Sequence, residues 1–260
     1  VRVLATGRHL YSLRQVLDED YPVDYLIFSG GAGICRQADG EVLLARTMSS
    51  DHAQKVLNLA LRCDLDLMVH EPLPANHCFR YRISAEGPHP DFMRRLERYR
   101  GFARPLRRRD ESPPEPASMM LSMIAPGGPE HWKDWAREVD PVRVVCSTSP
   151  LDGETLWVEW YPPGCDKGHS LLWLADHLGV APAGITALGN DYNDLSMLEV
   201  VGEPWVVEGA PESLRRSFPV VPCRGPGALG WLHDRWVGAA ARNRPGERLQ
   251  IQGGRCLPQG

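Results

Sequence analysis

Three short stations in this chain carry residue types that handle phosphate. The first is Ala5-Thr6-Gly7-Arg8, a hydroxyl and a glycine directly after an apolar run. The second is Asp166-Lys167-Gly168, and the third is Gly189-Asn190-Asp191-Tyr192-Asn193-Asp194. A hydroxyl with backbone amides at a strand end holds one phosphoryl oxygen, and a lysine neutralises another. Clustered carboxylates and amides suit Mg²⁺, a hard cation that takes oxygen ligands. Thr6 with Gly7, Lys167, and the group Asn190, Asp191, Asn193 and Asp194 therefore supply most of what phosphate-monoester hydrolysis needs. The nucleophile and the proton donor are missing. Only five residues precede Thr6, and none is acidic.

The elements around these stations read as alternating strands and helices. Val1 to Ala5 is a buried strand, Leu10 to Leu17 has helical spacing, and Tyr25 to Phe28 is a second strand. Gly30-Gly31-Ala32-Gly33 marks a tight turn, and Glu41 to Ala45 a third strand. Asp51 reads as the N-cap of a helix through Val56 to Leu61, with Gln54 completing a capping box. Gly168 to Leu178 is an amphipathic helix closed by Gly179. Strand Ile185 to Leu188, helix Asp194 to Val201 and strands Trp205 to Val207 and Val220-Val221 follow. Such alternation implies a parallel sheet with right-handed crossovers, whose ligands sit at the carboxyl ends of strands. Thr6, Gly30 and Gly189 each fall at such an end.

A different texture, rich in proline and tryptophan, interrupts this pattern from about Glu71 to Pro163. The expected organisation is a discontinuous core, residues 1–47 and 164–238, with an α+β insertion at 48–163. A tail, 239–260, has the glycine-rich, basic composition of disorder. Within the insertion, His77, Arg80 and Arg82 are candidate contacts to a polar substrate. Asp64-Leu65-Asp66 is read as a helix-to-strand junction with two exposed carboxylates.

The totals narrow the partners. A net charge of −4 over 260 residues gives no general attraction to nucleic acid or to an anionic membrane. No apolar run approaches the ~18 residues of a membrane span. The seven cysteines contain no C-x-x-C pair, which disfavours a zinc site and fits free thiols in a reducing cytoplasm.

Taken together, Ala5-Thr6-Gly7-Arg8, Phe28-Ser29-Gly30-Gly31-Ala32-Gly33, Asp166-Lys167-Gly168 and Gly189 to Leu198 carry a resemblance. The chain resembles the haloacid dehalogenase (HAD) superfamily, and within it the Cof-type phosphatases with a large α/β cap. The resemblance spans Val1 to about Trp236. It implies a HAD-like Rossmannoid parallel sheet with an inserted cap, Mg²⁺ as cofactor, and a small phosphorylated metabolite, such as a sugar phosphate, as substrate. By the same resemblance Thr6 is the phosphate-binding hydroxyl and Lys167 steadies phosphate and nucleophile. Gly7 and Asn193 join them toward the phosphate. Asn190, in a place commonly held by aspartate, with Asp191 and Asp194, faces the metal.

The family's Asp-x-Asp motif, on a central first strand ahead of the Thr6 equivalent, has no counterpart here. The expectation is therefore a chain that starts one strand late and is inactive as it stands. An Asp-x-Asp-Gly-Thr segment is expected roughly 30–40 residues upstream, the length a parallel crossover requires. The alternative is a non-catalytic phosphate-ligand binder or interaction protein on the same scaffold. A nucleotide-binding Rossmann protein is a weaker third reading, since no G-x-G-x-x-G follows a strand.

Overall fold

A computed structural model of the chain describes residues 1–18, 20–106, 116–125, 132–149, 152–222 and 227–242. It opens with β1 (Val3–Ala5), α1 (Leu10–Leu13), β2 (Tyr25–Phe28), a 3-10 turn (Ser29–Gly31), β3 (Gly33–Arg36) and β4 (Val42–Ala45). β1 and β2 run parallel, while β2, β3 and β4 form an antiparallel meander. The sequence reading has no β3, because the strand begins inside the glycine cluster. Gly33 pairs with Phe28, and the Phe28 ring lies 2.2 Å from where a Cβ at position 33 would stand. That glycine makes room for an aromatic ring within a sheet.

The middle of the chain supplies α2 (Ser50–Arg62), β5 (Leu67–His70), β6 (Phe79–Arg82), α3 (Pro90–Arg98), β7 (Ala103–Pro105), β8 (Met119–Ile124), α4 (Trp132–Glu138), β9 (Arg143–Thr148) and β10 (Leu156–Tyr161). The strands form one sheet in the order β7-β6-β5-β8-β10-β9. Period-two alternation sorts their side chains. Leu67, Val69, Met120, Val158 and Trp160 pack with α2 and α4 on one face. Met68, Leu121, Met123, Trp157 and Tyr161 pack with Phe92, Leu96 and Tyr99 on the other. Ala32 and Cys165, from outside the sheet, join this second face.

The N-cap of α2 is Ser49, not Asp51. Ser49 has extended backbone and accepts from His52 N–H, and Asp51 lies in the first turn, where its charge still favours the helix. The Asp64–Asp66 junction also differs from expectation. Asp66 is buried and accepts from Ser84 and His89 backbone N–H, so it ties two loops to the strand start. Asp64 pairs with Arg82 at 2.8 Å.

The chain then returns to the first texture with α5 (Lys167–His177), β11 (Thr186–Gly189), α6 (Leu195–Leu198), β12 (Glu203–Val206), α7 (Glu212–Ser217) and α8 (Gly227–Arg242). β11 and β12 are parallel, and Val220 adds only a single bridge to Val206. α8 carries helix through 239–242, because Ala239-Ala240-Ala241 are strong helix formers. The expected disorder of the tail from 239 is corrected there, and 243–260 lie outside the described residues. Among the described residues β1 pairs only with β2, and β11 only with β12. One apolar cluster, including Ile27, Ile34, Leu171, Leu174, Ala187 and Leu198, holds the two sheet fragments on α5 and α6.

Candidate active site

Thr6 follows the end of β1, and the 3-10 turn after β2 fixes it. Its backbone N–H donates to Ile27 O at 2.8 Å, and its carbonyl accepts from Gly30 N–H at 3.1 Å. Its hydroxyl oxygen accepts from Arg8 N–H at 3.1 Å, which leaves the hydroxyl proton free to point outward. Ser29 N–H donates to Arg8 O at 2.8 Å, so the loop is pinned at both ends.

Lys167 is the first residue of α5, an end where a cation is electrostatically disfavoured. The structure resolves that conflict with acceptors from β11's following turn. Lys167 Nζ donates to Asp194 Oδ1 at 2.6 Å and to Asn193 Oδ1 at 3.0 Å. Both members of the ion pair are buried, at 4% and 3% exposure, so neither charge is left to water. An ammonium has three protons, and two are placed. The third has no partner among the described residues.

Asp194 also organises its own turn. Its Oδ2 accepts from the backbone N–H of Asn190 at 2.8 Å and of Asp191 at 3.2 Å. Asp191 caps the 3-10 turn Tyr192–Asp194, and together they form a capping box. Asp166 caps α5 through His169 N–H at 2.8 Å. Burial pushes the Asp166 carboxyl up, but the backbone and ring N–H groups of His169 outweigh it and hold it below the usual range.

Two glycines allow these segments to meet. At Gly31 (φ +105°) a Cβ would lie 2.2 Å from Asp166 O, and at Gly168 one would lie 2.2 Å from Ser196 O. The first brings the β2 turn against α5, and the second brings α5 against α6. Ser170 and Arg46 lock the contact, both donating to Gly31 O, at 2.6 and 3.1 Å.

The three stations therefore converge. The side-chain amide nitrogen of Asn193 lies 3.9 Å from the Cβ position of Gly7. Asn193 thus lies between Gly7, next to Thr6, and Lys167, beyond the carboxyl ends of β1 and β11. The candidate metal ligands are placed differently. Asp194 has both oxygens engaged, Asp191 has one oxygen in the cap, and Asn190 is exposed. Among the described residues no three His, Cys, Asp or Glu side chains gather as a metal site. These donors do not make a Mg²⁺ site by themselves.

Of the expected substrate contacts, Arg82 is used internally, donating to Ala60 O and Leu65 O and pairing with Asp64. Arg80 lies 3.7 Å from Glu71. His77 stacks on Tyr11, ring centroids 4.5 Å apart. Cys165, next to the site, is no nucleophile, since burial pushes its thiol up to about 12.

Sequence reasoning missed the residues that meet where the middle segment touches the first. Tyr161 reaches Gly30, where a Cβ would lie 2.9 Å from its hydroxyl, and that hydroxyl donates to Glu159 Oε1 at 3.1 Å. His9 Nδ1 accepts from Ser12 N–H, so its Nε2 carries the proton toward Tyr99 OH at 3.0 Å. Asn76 donates to Ser29 Oγ at 2.8 Å. The one signal in the sequence is an acid, Glu159, between Trp157 and Tyr161 on a stripe that alternation assigns to the interior.

Comparison with known proteins agrees with this architecture. The family model for haloacid dehalogenase-like hydrolases matches residues 2–221. An HMP-PP phosphatase of Cronobacter sakazakii is 26% identical over 222 residues, covering 85% of this chain and 76% of that protein. A HAD-superfamily phosphatase structure from Bacteroides thetaiotaomicron superposes with a TM-score of 0.68 at 18% identity, over 91% of this chain and 81% of that one. A HAD subclass IIB sugar phosphatase gives 0.65 at 15% identity, over 91% and 85%. With a family model running from β1 to beyond β12 and the same fold in solved relatives, the chain belongs to the haloacid dehalogenase-like hydrolase family.

Proposed function

We propose that this chain binds a small phosphorylated metabolite with its phosphate held by Thr6, Gly7, Lys167 and Asn193. The observation that carries the reading is the Lys167 ammonium, buried, braced by Asn193 and Asp194, and with one proton left to give. A buried lysine so arranged is held ready for an anion, and Asn193, which braces it, has its amide nitrogen 3.9 Å from the Cβ position of Gly7, the residue after Thr6. The relatives named as HMP-PP and sugar phosphatases support a phosphomonoester or diphosphate ester as ligand. Residues 48–163 act as a cap in this reading, with Tyr161, His9–Tyr99 and Asn76–Ser29 closing it on the core. Free, buried Cys35 and Cys165 suit the reducing cytoplasm.

The same geometry limits turnover. Asp166, next to Lys167 in the chain, and Asp194, bonded to it, have their oxygens engaged. With both of these carboxylates committed to hydrogen bonds, this chain is proposed to bind phosphoesters and to hydrolyse them poorly. Mg²⁺ is the cofactor the family implies. Hydrolysis of p-nitrophenyl phosphate with and without MgCl₂ tests this reading. Turnover near the background rate is expected, together with saturable binding of inorganic phosphate. Fast, metal-dependent turnover abolished by Lys167→Ala would overturn the limit on chemistry, and absent phosphate binding would overturn the site. A non-catalytic binder is the second reading, favoured by those same engaged carboxylates.

A further inference from the structure

Arg95 lies on α3 one turn after the buried Phe92, so it faces the middle sheet, with part of its side chain still open at the surface. Its guanidinium lies 5.0 Å from the Trp157 ring centroid and 5.2 Å from that of Tyr99. It forms no hydrogen bond or ion pair among the described residues, and its Nε is fully enclosed without a partner. The neighbouring Arg94 shows the contrast, with Asp152 at 3.2 Å and Asp91 at 3.6 Å. An enclosed guanidinium nitrogen with no acceptor is costly unless something completes it.

Arg95 is placed by its contacts: its guanidinium lies over Tyr99, whose hydroxyl meets His9 Nε2 at 3.0 Å, and over Trp157, which shares a sheet face with Tyr161. It lowers the proton affinity of His9, two residues beyond Gly7, and of His70. It also acts on Glu159 and Tyr161, and Glu159 in turn feels Lys167. Tyr161 touches Gly30, whose N–H holds Thr6 O. Arg95 is thereby linked by contacts, through the Tyr99 ring and its hydroxyl at 3.0 Å from His9 Nε2, to the loop that follows Thr6. Glu159 does not neutralise it by contact, since no ion pair forms between them. Three more polar atoms nearby are enclosed without partners: His70 Nε2, Asn76 Oδ1 and His77 Nδ1.

We propose that Arg95 is a specificity-determining residue that receives a second anionic group of the ligand, a carboxylate or a further phosphate, remote from the phosphate held at Lys167. This rests on the phosphate-binding reading above. A planar fork of donors matches either oxyanion, and the Trp157 and Tyr99 faces hold the guanidinium while it waits. A ligand with an uncharged remote end leaves Arg95 unanswered and binds more weakly.

The test is calorimetric titration of the whole chain with inorganic phosphate, 1,3-propanediol monophosphate, its bisphosphate, and 3-phosphoglycerate. The wild-type chain is expected to bind the bisphosphate, the carboxylate compound, or both at least ~10-fold more tightly than the monophosphate. Whichever of the two shows the preference identifies the anion. Arg95→Met keeps the apolar stem and should erase the preference while leaving inorganic phosphate affinity unchanged. Arg95→Lys should keep part of it. A purely structural role would lower the melting temperature of Arg95→Met and leave the affinity ratio intact, which would overturn the proposal. Equal wild-type affinity for all three esters would do the same. Failure of wild-type chain to bind any of the four probes would instead refute the phosphate site, a distinct outcome.

Discussion

Lys167 is a buried cation and Arg95 a half-buried one, and the core completes the first while the cap leaves the second open. Lys167 has a buried carboxylate at 2.6 Å and an amide at 3.0 Å. Arg95 has two aromatic faces and no acceptor. The difference extends to their surroundings. In the core, Asp166, Ser170, Asp194 and Arg46 are knitted into hydrogen bonds that fix three chain segments. On the cap side, His70, Asn76, His77 and Arg95 all leave a polar atom enclosed and unmatched. A scaffold that must hold one unchanging group, a phosphate, can be fully pre-organised. A wall that must meet the rest of a particular ligand is completed only when that ligand arrives.

The sharpest way to break the comparison is to unpair the core cation. Lys167→Met leaves Asp194 buried without its partner, and a loss of about 3–5 kcal/mol in urea unfolding is expected. Replacing both, as Lys167→Met with Asp194→Leu, should cost well below the sum of the single changes. Arg95→Met should cost less than Lys167→Met, because no carboxylate is stranded. Equal losses would erase the distinction between the two cations.

Acid probes the cap–core boundary next. Burial, reinforced by the Arg95 charge, lowers both His9 and His70 to about 3. The unfolded chain takes up these protons near pH 6.5, while the folded chain stays neutral there. Their contribution is therefore intact above pH 6.5 and is lost as pH falls from there toward 3. By pH 5 the loss should be on the order of 1–2 kcal/mol for each, read from urea midpoints at pH 7 and pH 5. Replacing His9 with Gln should flatten that slope, and an unchanged slope would show that His9 is not held neutral. Smaller again is the expected effect of Thr6→Val. Its hydroxyl accepts only one exposed N–H, so stability should shift by less than about 1 kcal/mol while phosphate affinity falls about tenfold.

The core was far more legible in the sequence than the cap, and for a physical reason. Thr6, Lys167 and Asp194 lie within short stretches whose glycines and charges are dictated locally. Lys167 at a helix start is an electrostatic anomaly that a reader of one sequence can see, and Asp194 resolves it. The β3 strand escaped because its first residue is a glycine chosen for the Phe28 ring, a contact made only across a hairpin. Ser49 and Asp51 both suit the cap by residue type, and backbone angles decide between them. Arg95 and Glu159 escaped because they lie 64 positions apart in sequence. Arg95 on α3 reads like its neighbours Arg94 and Arg98, and only packing of α3 on the sheet separates the enclosed arginine from exposed ones. The metal reading illustrates the reverse. Acids near Gly189 look like ligands in sequence, yet Asp194 is occupied by Lys167 and two backbone amides.

The most direct measurement is titration of inorganic phosphate into the wild-type chain and into a Thr6→Val, Asn193→Ala double variant, with melting temperatures recorded alongside. The structure predicts one saturable phosphate per wild-type chain. In the double variant, affinity should drop at least ~30-fold, from two lost hydrogen-bonding groups, with the melting temperature nearly unchanged. Equal phosphate affinity in the two proteins would contradict a site built from Thr6, Gly7, Lys167 and Asn193.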